Sequence, residues 1–187
     1  MRVIAGTARS LKLTAPKGLE VRPTTDRIKE TLFNILSPDI YDAVFLDLFC
    51  GSGAIGIEAL SRGASECVFV DNSPASLDCT RANLEHTRLD GRAHVIRGEA
   101  AGVISRLAAE KKYDVVFMDP PYGKQLEKQV LEQMAVHDIL SGDGIVIVEA
   151  DTATEFDYLP ELGFEAYRVK SYGSNKHVFI RKDGGRY

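Results

Sequence analysis

Asp119-Pro120-Pro121-Tyr122 follows the apolar run Tyr113–Met118, so a carboxylate, a rigid corner and an aromatic ring stand where a buried strand ends. Proline cannot continue a ladder and Asp-Pro often opens a turn, which accounts for the prolines alone. The acid and the ring need another reason. Together the four residues suit a flat base carrying an exocyclic amine. Such an amine is a poor nucleophile, because its lone pair is delocalised into the ring. Two acceptors set on its two N–H bonds pull the nitrogen toward tetrahedral geometry and free that pair. The Asp119 carboxylate is one acceptor, and the Pro120 carbonyl, held by the stiff Pro-Pro backbone, is the other. Tyr122 then stacks on the base and holds it in line with an electrophile. The base must be unpaired or swung out of its stack.

A second motif indicates where the electrophile comes from. Gly51-Ser52-Gly53-Ala54-Ile55-Gly56 fits GxGxxG, follows an apolar run and opens a helical stretch, and Asp71 stands 20 residues after Gly51. Glycines for the turn and an acid for ribose hydroxyls make a nucleotide-cofactor fingerprint. A phosphate-binding P-loop is excluded, since Ile57-Glu58 stands where Lys-Ser/Thr must follow. Asp47, four positions before Gly51, decides between cofactors. A carboxylate there repels a pyrophosphate, whereas S-adenosylmethionine has no phosphate and carries a sulfonium and an ammonium. Asp47 also suits a loop-bracing role. The positive cofactor is the better fit.

The elements that position these motifs alternate. Val44–Leu48, Cys67–Val70, Ala93–Ile96, Val115–Met118 and Gly144–Glu149 read as strands. Helical stretches separate them at Ala54–Arg62, Pro74–Arg88, Ala101–Glu110 and Gln125–His137. Near-continuous apolar strands in a βαβ rhythm predict an α/β fold, a parallel sheet covered by helices on both faces. Phe164–Lys170 and His177–Arg181 lack a helix between them and read as an antiparallel hairpin around Tyr172–Asn175. At the start, Arg2–Thr14 alternates around Gly6 as a small hairpin. A helix with Ile28, Leu32, Ile35 and Leu36 on one face follows, capped by Thr24 or Thr25.

The 187 residues suit one domain with an appendage, and the 44% hydrophobic and 27% charged fractions are those of a soluble globular protein. No apolar run is long enough to span a bilayer and no leader is visible, so a cytoplasmic protein without membrane contact is expected. Three unpaired cysteines, Cys50, Cys67 and Cys79, agree with a reducing compartment. The four histidines, His86, His94, His137 and His177, are scattered, so no metal is expected. Residues 1–36 hold seven Lys/Arg against three Asp/Glu, residues 168–187 hold six against one, and the middle holds ten against 23. An acidic body with two basic ends can grip a polyanion by the ends.

On these residues the chain resembles a known family. The DPPY corner with LDLFCGSGAIGIEAL (Leu46–Leu60) is similar to the amino-directed class I methyltransferases. The segment Arg22-Pro-Thr-Thr-Asp-Arg-Ile-Lys-Glu-Thr-Leu-Phe-Asn34, after a glycine-bearing hairpin, resembles bacterial small-subunit (16S) ribosomal RNA guanine-N2 methyltransferases. The resemblance implies a Rossmann-like class I fold. Its sheet is seven-stranded and mostly parallel, with an antiparallel C-terminal hairpin strand. It implies an RNA-recognition extension over 1–36 and a methyltransferase domain over 37–187. It implies methyl transfer from S-adenosylmethionine to guanine N2 in an assembled or assembling small subunit, by a monomer. Asp119, Pro120, Pro121 and Tyr122 match the catalytic corner. Asp47, Cys50, Gly51, Ser52 and Gly53 match the cofactor loop, Asp71 and Asn72 the ribose side, and Glu99 and Ala100 the adenine side. Gly98-Glu99 stands where the family often has Gly-Asp, and glutamate can accept the same bond. Arg2, Arg9, Lys12, Arg22 and Arg27 are the RNA-binding candidates, and removing residues 1–20 is expected to spare the cofactor site. An adenine-N6 methyltransferase acting on DNA or RNA, a non-catalytic RNA-binding assembly factor and a dehydrogenase remain as alternatives.

Overall fold

Each apolar run between glycine or proline punctuation forms a strand, and the amphipathic stretches between them form the helices. The structure, a computed structural model, describes residues 1–16 and 25–184. The helices are α1 (Asp26–Ile35), α2 (Ser37–Ile40), α3 (Ala54–Ser61), α4 (Pro74–Thr87), α5 (Ala100–Glu110) and α6 (Leu126–Val136). The strands are β1 (Val44–Leu48), β2 (Glu66–Asp71), β3 (Ala93–Arg97), β4 (Tyr113–Met118), β5 (Leu140–Asp151), β6 (Phe164–Tyr172) and β7 (Asn175–Lys182). They build one seven-stranded sheet in the order β3-β2-β1-β4-β5-β7-β6. β1 to β5 are parallel, and β7 runs antiparallel to both β5 and β6. Sequential strands step outward from β1 to β3, and the chain then crosses back to β4. The order therefore reverses between β1 and β4, where open α/β sheets bind ligands.

Two buried clusters sandwich the sheet. One joins Phe45, Phe69, Phe117, Ile147 and Phe179 to α1, α3 and α4. The other joins Leu46, Val68, Val116, Val146 and Ile180 to α5 and α6. β5 is longer than Gly144–Glu149, because Leu140 pairs with Tyr113 ahead of a register shift. Among the described residues no helix is long and apolar enough to cross a membrane.

The N-terminal arm forms a short hairpin: Arg2 bridges Lys12, Val3 N donates to Leu11 O at 3.0 Å, Leu13 N to Met1 O at 3.1 Å and Ser10 N to Val3 O at 2.9 Å. The N–H groups around its bend are taken by α3. Ile4 and Ala5 donate to the Glu58 carboxylate at 2.8 and 3.0 Å, Thr7 to the Ser61 carbonyl at 2.8 Å, and Ala8 to Ser61 Oγ at 3.0 Å. Gly6 makes this approach possible: a Cβ there would stand 1.8 Å from the Ser61 carbonyl oxygen. Glu58, fully buried, also binds Lys29 Nζ at 3.1 Å and Arg62 Nε at 2.8 Å, and Lys29 donates to the Arg2 carbonyl at 2.6 Å. Burial pushes the Lys29 ammonium below its usual range, and the Glu58 charge works against that. Val3, Ala8, Leu13, Leu32, Phe33 and Leu36 belong to the same cluster as β1 and β4. The described residues of 1–36 thus share one core with the sheet. Removing the arm would take the Ile4 and Ala5 N–H groups from Glu58 and the Arg2 carbonyl from Lys29, and would uncover the cluster that Val3, Ala8 and Leu13 close, so truncation is expected to lower stability as well as to remove cations.

Candidate active site

Side chains alternate across a strand, so the Phe45–Phe69–Phe117–Ile147 face continues at the strand ends as Asp47, Asp71, Asp119 and Glu149. Met118 pairs with Val148, which sets Asp119 beside Glu149, and Glu149 pairs with His177 on β7. Four acids therefore line one face of the sheet across β2, β1, β4 and β5, centred on the reversal of strand order. Like charges so placed disfavour one another's ionisation.

The loop between β1 and α3 is held from several sides. Phe49 takes a left-handed φ of 63°, a strained conformation for a bulky residue, and turns the chain out of the strand. Cys50 N donates to Val70 O at 2.9 Å, and Gly53 N to Cys50 O at 2.7 Å. Asp71 braces the loop, its Oδ2 accepting from Gly51 N at 2.9 Å and its Oδ1 from Ser73 N at 2.9 Å. Asp47 Oδ2 accepts from Gly56 N at 2.9 Å. Gly56 is required for packing, since a Cβ would lie 2.3 Å from the Phe69 ring. From α4, Thr80 Oγ1 donates to Gly51 O at 3.0 Å and Asn83 Nδ2 to Ser52 O at 2.9 Å. Asn83 also ties in the N-terminal arm, accepting from Thr14 N at 2.9 Å and donating to Thr14 O at 3.0 Å.

Asp47 is buried, and its carboxyl is pushed up to about 7, chiefly by desolvation and further by the Asp71 charge, against the Gly56 N–H. Asp119 lies well above the carboxylate range, first from burial, then from the Glu149 and Asp47 charges. The Tyr122 hydroxyl is pushed up to about 12 by burial and the nearby acids, and an interaction with Asn175 opposes this. Pro120 is buried, Pro121 is exposed, and Tyr122 stays 49% exposed, a ring available to stack on a base.

Of the expected ligand residues, Asp47, Gly51, Ser52, Gly53 and Asp71 surround one loop beside Asp119. Asn72 Nδ2 donates to Glu99 Oε1 at 2.9 Å, bridging the ends of β2 and β3, and Ala100 opens α5 behind them. Cys50 turns its thiol into the core, 3.6 Å from Thr80 Oγ1, while its N–H donates to Val70 O and its carbonyl accepts from Gly53 N, so it meets a ligand through the backbone and not through sulfur. Arg2 Nε is paired with Asp26 Oδ2 at 2.9 Å and pins the arm to α1. Arg9, Lys12 and Arg27 are exposed, and Arg22 lies outside the described residues. Glu149, Asn175 and His177 had not been singled out for the site. Glu149 accepts from Asn175 Nδ2 at 2.6 Å and lies 3.1 Å from His177 Nε2. The strand-end rule that finds Asp119 also finds Glu149, whereas His177 becomes visible only through the β5–β7 register.

A family model described as Conserved hypothetical protein 95 matches residues 1–181. Ribosomal RNA small subunit methyltransferase D of Escherichia coli (strain K12) is 34% identical over 183 residues, covering 98% of this chain and 90% of that protein. The chain belongs to this small-subunit rRNA methyltransferase family. A candidate rRNA methyltransferase of the family, YlbH of Bacillus subtilis (strain 168), is 36% identical, covering 98% of this chain and all of that one. Among solved structures, the candidate methyltransferase yhhF of Escherichia coli superposes with a TM-score of 0.84 at 31% identity, covering 98% of both chains. SMU.776, solved in complex with SAH, shares the fold alone, at 17% identity and a TM-score of 0.67 over 82% of this chain and 48% of that one.

Proposed function

We propose that this protein methylates the exocyclic N2 amine of a guanine in 16S rRNA, with S-adenosylmethionine as donor. The carrying observation is the Asp119–Tyr122 corner beside a glycine loop whose neighbouring strand ends are acidic. The donor set fits the cofactor. No cation stands in Phe49–Gly53 to meet a phosphate, and two acids flank it, Asp71 bonded to the Gly51 N–H in the loop and Asp47 to the Gly56 N–H in the first turn of α3. Asp47 faces the positive end, Asp71 the ribose, and Asn72 with Glu99 the adenine side. Bound there, S-adenosylmethionine supplies an electrophilic methyl group.

The chain's own residues prepare the amine. Asp119 and the Pro120 carbonyl accept its two N–H bonds, and Tyr122 stacks on the base. As the N–C bond forms, the methyl group's bond to the donor sulfur breaks and its electron pair stays on sulfur as a neutral thioether; the nitrogen becomes cationic and must lose a proton. Asp119, whose proton affinity is raised by burial and then by the Glu149 and Asp47 charges, is placed to take it. The family relationship supports small-subunit rRNA as substrate, and we read the enzyme as a cytoplasmic monomer acting on the small subunit or its assembly intermediate. Incubation with labelled S-adenosylmethionine and small subunits lacking the modification, followed by nucleoside digestion, tests the reading. N2-methylguanosine is the expected product. N6-methyladenosine would transfer the assignment to an adenine enzyme, and absence of any methylated nucleoside would end it.

A further inference from the structure

An open groove of about 410 Å³ runs between α1 and the edge strand β6. Thr31, Asn34 and Ser37 line one wall, and Arg168 and Lys170 the other. Arg27 extends the first wall by one turn, its carbonyl accepting from Thr31 Oγ1 at 2.9 Å. Other cations of the hairpin are engaged: Arg181 with Glu165 at 2.7 Å, Lys182 with Asp138, and Lys176 with the Thr154 carbonyl at 2.7 Å. Arg168 and Lys170 are exposed and have no acidic partner among the described residues. Asp39, one residue past the lining Pro38, acts instead on Tyr167.

Register ties this groove to the acidic face. Lys170 pairs with His177, His177 with Glu149, and Glu149 stands beside Asp119. Directly opposed residues share a face, so Lys170 and Arg168, the latter opposite Phe179, look out on the side where the acids lie. Three strand spacings separate Lys170 from Asp119, roughly 14 Å. A nucleic acid strand carries a charge about every 3.4 Å of rise, so this offset spans a few nucleotides. RNA brought to a centre lined by four carboxylates is repelled there unless cations nearby offset the field.

We propose that the α1–β6 groove binds consecutive RNA phosphates flanking the target nucleotide, with Arg168 and Lys170 as the charged contacts and Asn34 and Ser37 as neutral donors. This rests on the rRNA reading above. The competing account is that edge-strand cations merely block sheet-to-sheet pairing. It explains charges on β6, but not the polar groups that α1 and the start of α2 set across from them.

The experiment compares the full-length protein with an Arg168→Gln/Lys170→Gln variant. Affinity for small subunits lacking the modification is measured by anisotropy of labelled protein at several salt concentrations. Methyl incorporation kinetics and adenosylhomocysteine calorimetry accompany it. The groove predicts weaker particle binding and a higher KM, each on the order of tenfold at moderate salt, with kcat and adenosylhomocysteine affinity retained. The slope of log affinity against log salt should become shallower by about 1.4, for two contacts to a single strand. Arg168→Lys should keep the slope. Unchanged affinity and slope would overturn the proposal, and self-association of the double variant would then identify an edge-guarding role. Because particle binding is read separately from product identity, a wild-type product other than N2-methylguanosine would count against the base assignment and leave the groove tested.

Discussion

His177 Nε2 lies 3.1 Å from Glu149 Oε2, with His177 fully buried and Glu149 nearly so, at the end of the strand beside Asp119. The Glu149 charge is one cause of the raised Asp119 proton affinity. Replacing Glu149 by Gln removes that charge, so Asp119 ionises at lower pH. The acidic limb of the rate profile, read as kcat against pH, should move to lower pH. An unmoved limb would show that Glu149 does not act on the reacting acid.

Asp119→Ala should nearly abolish methyl transfer while leaving adenosylhomocysteine affinity close to that of the native protein. Its proposed contact is with the amine, and it counts most in the transition state. Loss of cofactor binding with normal turnover at saturation would assign it to the wrong ligand.

Asp71→Ala should do the reverse. It removes two loop-bracing bonds and the proposed ribose acceptor together, an effect on the order of 1.5–3 kcal/mol, or roughly ten- to a hundredfold in affinity. Calorimetry with adenosylhomocysteine measures it, and an unchanged dissociation constant would refute the role.

Asp47 links pH to both stability and binding. In the folded chain it holds its proton up to about 7, while the unfolded chain releases it near the ordinary value of 3.8. The folded state therefore binds more protons in that window, and stability of the free protein should fall as pH rises from about 4 to about 7. Asp119, raised for similar reasons, acts in the same direction. A positive ligand favours the ionised acid, so S-adenosylmethionine should bind on the order of tenfold more tightly at pH 8 than at pH 6. Asp47→Asn should flatten that dependence in calorimetric titration.

Glu58→Ala should cost about 3–5 kcal/mol, because it leaves Lys29 buried without its carboxylate and frees the Ile4 and Ala5 N–H groups. For a chain of this size the melting temperature should fall by roughly 10 °C. A drop of only a degree or two would mean that the arm is held by apolar packing alone.

Local pattern was enough to find the five parallel strands and their helices, because each is an apolar run closed by glycine, proline or an acid. Asp47, Asp71 and Asp119 came from the same reading, as strand-end acids. Glu58 did not, since its partner Lys29 and the N–H groups of Ile4 and Ala5 lie far away in sequence. The hairpin of Arg2–Thr14 is local and legible, whereas the docking of Ile4, Ala5, Thr7 and Ala8 on α3 is not. The inward turn of Cys50 and the pairing of His177 with Glu149 depend on which face of the sheet each side chain meets, a tertiary outcome.

The junction at Asn83, whose one amide nitrogen serves both Thr14 O and Ser52 O, bears on how such a protein can be recombined. An arm transplanted from a relative would arrive without its sockets unless the residues at 58, 61 and 83 travelled with it. The exchangeable unit is therefore a discontinuous patch of the first sixteen residues plus one face of α3 and one of α4, and chimeras cut at a single point after the arm should fold poorly where those three positions differ.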